Sequence, residues 1–118
     1  MNNKMIEFAD KWIEKFRTSK YYEIVDDMSF PDACRSLGFE IDMGDALLKD
    51  FPKADIMNPR WMEMNECFIN DAAALGNAIF SNWRWFNHGA YSSSSLDENG
   101  NREWFICALT RLKELAAE

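Results

Sequence analysis

Between Trp61 and Phe86 the apolar side chains return every third or fourth residue: Trp61, Met64, Phe68, Ala72, Leu75, Ile79, Trp83, Phe86. That is the period of an α-helix, in which such positions form one stripe. Met62, Ile69, Ala73, Gly76 and Phe80 widen the stripe on one side. A stripe this broad must be covered from more than one direction, so other helices have to pack around it. The pattern predicts a long central helix over about residues 59–88. Asn58 stands as its N-cap, Pro59 as its first residue, and Gly76 is the position where it would bend or admit a closely crossing helix.

The same period marks both ends of the chain. Met5, Phe8, Ala9, Trp12, Ile13 and Phe16 share a face, with Lys4, Glu7, Lys11, Glu14 and Lys15 opposite. This predicts a helix over about 3–17, with Tyr21, Tyr22, Ile24 and Val25 packing the turn behind it. Near the other end, Trp104, Phe105, Ala108, Leu109, Leu112 and Leu115 predict a helix over about 102–116, capped by Asn101, with Arg111 and Glu114 facing water.

The middle of the chain is more broken. Pro31 reads as the first residue of a short helix that Gly38 ends, with Ala33, Cys34 and Leu37 inside. A second short helix is predicted over about 43–51, capped by Asp42 and stopped by Pro52. The stretch HGAYSSSSLDENGN offers little to bury and reads as an exposed loop. Strand signals are confined to Phe39–Asp42, too short to build on. The expected fold is all-α, a single-domain irregular or orthogonal bundle of four to six helices around the 59–88 helix. A chain of 118 residues with 47% hydrophobic residues has enough apolar surface to form a core without staples.

Composition narrows the function. The net charge is −7, and Glu23–Asp55 holds nine acidic residues against Arg35, Lys49 and Lys53. Direct nucleic-acid binding and attachment to anionic membranes both need clustered Lys and Arg, so neither is expected. The opening residues break their apolar runs with charges, which reads as a cytoplasmic chain. Cys34, Cys67 and Cys107 are odd in number and far apart, fitting small apolar residues better than a disulfide framework or a zinc site. Cofactors and metals are not expected.

Two groups of residues are candidates for function. Asn77, Ser81, Arg84 and His88 step by four, three and four, so a helix would align their polar groups beside the aromatics Trp85 and Tyr91. Such a line suits a carboxylate or phosphate, with Arg84 making the paired contact. The structural alternative is that Arg84 pairs with Asp71 or Glu103 and His88 caps the helix end beside Gly89. The second group is the acidic stretch represented by Asp26, Asp27, Asp42 and Asp45, suited to a basic protein partner.

Catalytic signals are thin. Each cysteine falls on an expected inner face, Glu63 and Glu66 lack the Glu-x-x-His of di-iron bundles, and Asp97–Asn101 does not fit a calcium loop. The reading that follows is a non-catalytic acidic interaction module, of the kind that blocks a basic site as an inhibitor or immunity protein does. The alternatives are an anion binder or enzyme centred on Asn77, Ser81, Arg84 and His88, and a structural subunit whose spare aromatics bury in a homodimer.

Overall fold

The computed structural model describes residues 2–41, 71–87 and 101–118. Within them the chain is all-α: α1 (Asn3–Thr18), α2 (Tyr21–Val25), α3 (Ser29–Ser36), α4 (Ala72–Asn87) and α5 (Asn101–Ala117). The predicted short helix over 43–51 and the 88–100 loop lie outside the described residues.

α1 begins where Asn2 turns its side chain onto the helix, its Oδ1 accepting from the Met5 N–H at 3.1 Å. Met5, Phe8, Ala9, Trp12 and Phe16 are buried, the face read from the sequence with Ile13 at its margin. α5 lies antiparallel against it. The Asn2 N–H donates to the carbonyl of Ala116 at 2.8 Å. Asp10 pairs with Lys113 at 2.7 Å, and Phe16 stacks on Phe105 with ring centres 4.5 Å apart. At the far end Arg102 donates to the carbonyls of Phe16 and Ser19 at 2.5 and 2.8 Å. Those carbonyls sit at the α1 C-terminus, where the helix itself supplies no donors and positive charge is favoured.

α3 starts two residues before the position expected from Pro31. Asp27 causes the shift: its Oδ1 accepts from both the backbone N–H and the hydroxyl of Ser29, at 3.0 and 2.6 Å. Pro31 then falls in the first turn but not at its first residue, where its missing N–H still costs no intrahelical bond. Gly38 ends the helix as read, with a φ of 82°. The Gly38 N–H reaches the Arg35 carbonyl and the Phe39 N–H reaches that of Cys34, both at 3.0 Å. This Schellman closure needs a left-handed residue, which glycine supplies without strain, and it aims Phe39 inward.

The expected central helix over 59–88 is corrected at its start. Asp71 is not helical but caps α4: its Oδ1 accepts from the Ala73 N–H at 2.9 Å and its carbonyl from the Leu75 N–H at 3.0 Å. A carboxylate that can take the orphan N–H groups of a first turn marks a boundary that an apolar period does not register. Residues 59–70 lie outside the described residues. α4 then runs through Gly76 without a break. What Gly76 admits is a side chain instead of a helix: a Cβ there would come within 2.2–2.3 Å of three carbons of the Phe39 ring.

Phe30 is fully buried where these elements meet. Its ring lies 4.8 Å from Trp12 and 5.8 Å from Phe8, both on α1, and 5.2 Å from Trp83 on α4. Trp83 also donates its Nε1–H to the carbonyl of Ile24 at 3.0 Å, and Asn87 donates to that of Val25 at 2.8 Å. The last carbonyls of the five-residue α2 are therefore satisfied by side chains of α4. So short a helix persists only through such packing.

Gly76→Ala provides a test. In an open helix this change stabilises by up to about 1 kcal/mol. Here the added methyl meets the Phe39 ring, so urea denaturation should show a loss of about 1–3 kcal/mol. Placing Phe39→Leu in the same chain should make the two changes strongly non-additive.

Candidate functional site

The three described members of the polar line on α4 do different work. Asn77 turns its Oδ1 to the backbone N–H of Glu40 at 2.8 Å and so holds the chain that follows the α3 stop. Ser81 is completely buried and engaged within the fold, out of reach of a ligand. Arg84 is half-buried and donates to Asn87 Oδ1 at 2.6 Å. The line drawn on a bare helix is thus broken in its middle by burial. Arg84 pairs with neither Asp71 nor Glu103: Asp71 caps α4, and Glu103 lies exposed on α5. Trp85 lies on α4, while His88 and Tyr91 fall outside the described residues.

What the fold brings to Arg84 is Arg35. Both line one cleft of about 260 Å³ between α3 and α4, floored by the buried rings of Phe80 and Trp83. Met28, Pro31 and Ile41 complete its apolar wall. The Arg35 guanidinium lies 5.5 Å from the centre of the Phe80 ring, within cation–π range, and 3.7 Å from the carboxylate of Asp32. That ion pair is largely in water, with side-chain exposures of 60% and 83%, so it contributes at most about 1 kcal/mol. Arg35 was missed in the sequence because it stands 49 positions from Arg84, and no local pattern joins the two.

The acidic candidates divide in the same way. Asp26 is exposed on the turn after α2. Asp27 is mostly covered, capping α3 and facing the Lys15 ammonium at 3.6 Å. Asp42 and Asp45 fall outside the described residues. On either side of Asp26 stand Tyr22 and Met28, 48% and 58% exposed, the large hydrophobics left in water among the described residues. With Glu23, also exposed, they form an acidic and apolar corner.

Cys34 is sealed in the core, and burial pushes its thiol far above its ordinary pKa, so it is no nucleophile. Cys107 is a correction to the expected burial: it is half-buried. Both are free thiols. Among the described residues no cluster of His, Cys, Asp and Glu is arranged to hold a metal, and no helix is long and apolar enough to cross a membrane. Compared with known protein families, curated proteins and solved structures, the chain matches none.

Asp27 yields a prediction in pH. Partial burial acts to raise its pKa, but the two hydrogen bonds from Ser29 and the nearby Lys15 outweigh it, and the carboxyl sits below its ordinary value. A depressed folded-state pKa adds stability that is present above the unfolded value of about 3.9 and lost as pH falls through the folded one. Asp27→Asn should therefore lower the melting temperature at pH 7 and shrink the gap between pH 7 and pH 3. Equal acid sensitivity in the two proteins would remove Asp27 from the frame.

Proposed function

We propose that this protein is a non-catalytic interaction module of the cytoplasm that holds a basic protein partner through the corner around Asp26. The observation that carries the reading is the exposure of Tyr22 and Met28 on either side of that carboxylate. The other large apolar side chains that the structure describes are taken into the core or packed against it. Apolar anchors of this kind contribute most of the binding free energy where they are desolvated, and flanking charge selects the partner and speeds encounter.

Charge supports the same reading. In the described residues twelve acidic side chains stand against ten basic ones, so the helical frame is close to neutral. Most of the −7 excess belongs to sequence beyond the frame, including Asp42 and Asp45, which follow soon after Ile41. A partner meeting this surface needs Lys and Arg, as the basic cleft of a toxin or nuclease has. Covering that cleft would block its own substrate, the mode of an inhibitor or immunity protein. Asp27 takes no part, because its carboxylate is already committed to α3 and Lys15.

The experiment is capture of the partner from the host, followed by surface plasmon resonance with purified proteins. Association should slow as salt rises from 50 to 300 mM, as for any electrostatically steered pair. Asp26→Lys should slow it further, while Tyr22→Ala and Met28→Ala should each speed dissociation by about tenfold, the effect of losing a moderate hot spot. Circular dichroism should be unchanged in all three, since none of these side chains is in the core. Unaltered rates in the three variants would reduce the corner to solubilising surface.

A further inference from the structure

We infer that the cleft between α3 and α4 is a binding site for a small organic acid, a carboxylate carried on an apolar body, held by Arg35 and Arg84. The inference is independent of the partner reading above and rests on different charged residues, Met28 alone being shared.

Three observations point to that ligand. The first is the pairing of charge with surface. Two guanidinium groups line a cavity whose remaining walls are rings, a thioether, a proline and an isoleucine. Guanidinium is the cation best matched to a carboxylate, giving two parallel N–H···O bonds. The apolar walls have nothing to offer a bare ion such as chloride or phosphate, but they suit a hydrocarbon or aromatic body. Sites for small molecules are commonly built in this way, mostly apolar with a few placed polar groups.

The second is that the arginines are held yet not saturated. Arg84 uses one amino group on Asn87, and Asn87 is itself fixed by the Val25 carbonyl. A guanidinium has five N–H donors, so that bond positions Arg84 and leaves donors to spare. Arg35 is placed over Phe80, and its Asp32 partner is exposed enough for an incoming carboxylate to displace at little cost. The floor is rigid as well, because Trp83 is anchored through its Nε1–H on Ile24.

The third is size. A volume of about 260 Å³ falls just below the roughly 300–1,000 Å³ of drug-sized ligand sites. It suits an acid the size of phenylpropionate and is too small for a nucleotide. The groove between α1 and α3, about 320 Å³, offers no such match, because Glu7 stands among Lys4 and Lys11 on its rim.

The test uses 3-phenylpropionate as probe and 3-phenylpropanol as its uncharged match. Each is titrated into the full chain by isothermal calorimetry and by NMR of the arginine side-chain N–H signals. The acid should bind saturably with millimolar or tighter affinity and the alcohol at least about tenfold more weakly, the usual effect of losing a charge-assisted hydrogen bond. Arg84→Gln should weaken the acid by about tenfold or more and leave the alcohol nearly unchanged. Arg35→Gln supplies the same reading at an exposed position where folding is not at stake, and its melting curve should match that of the parent. Equal affinity for acid and alcohol would overturn the proposal, as would undiminished acid binding in Arg35→Gln. Failure of the acid to saturate up to about 10 mM, well beyond the affinity expected of so small a ligand, would also overturn it. Asp26→Lys leaves this binding intact, which separates the outcome from that of the partner experiment.

Discussion

The ring of Phe30 is the point on which the described structure closes. It is fully buried, and the aromatics of α1 and of α4 reach it from different sides. Large rings meeting at tilted and edge-on angles fill volume and gain favourable quadrupole contacts together. Removing such a ring from a packed centre leaves a cavity that its neighbours only partly refill. The position of Phe30 in turn depends on Asp27 and Ser29, which set where α3 begins. One exposed-looking acidic residue thus determines whether the central ring points into the core.

Around that centre, distant side chains finish the helices. Arg102 takes the last carbonyls of α1, while Trp83 and Asn87 take those of α2. Each of these bonds spans more than 50 residues of chain. Helix ends that no local residue can satisfy become the places where the elements are fastened to one another. A fold made of short helices gains more from this than one made of long helices, because a larger share of its backbone groups lies at termini.

The two surfaces with functional promise both grow out of this frame. The corner at Asp26 exists because the turn between α2 and α3 spends Asp27 on capping and leaves Asp26, Tyr22 and Met28 outward. The arginine cleft exists because α3 crosses α4 near Phe80 and Trp83. Met28 borders both, so a ligand in the cleft and a protein at the corner would touch a common side chain. The two surfaces differ in sign: the corner is acidic, and the cleft is the place where positive charge gathers on apolar walls.

What the sequence determined by itself is whatever repeats or terminates locally. The apolar faces of α1 and α5 follow from a 3.6-residue period and match within a residue or so at each end. The stop at Gly38 follows from the one residue type that adopts a left-handed φ freely. The acidic balance and the scattered cysteines are likewise readable without coordinates. Tertiary structure alone decided that Gly76 receives the ring of Phe39, that Ser81 is sunk, and that Arg84 shares a cleft with Arg35 in place of pairing with a carboxylate. The reason is physical. Periodicity reports which face of a helix is apolar, but burial of a polar residue at its edge depends on how far the neighbouring helix reaches. Residues 49 positions apart meet only when the packing of Phe30 between α1 and α4 has fixed where α3 lies.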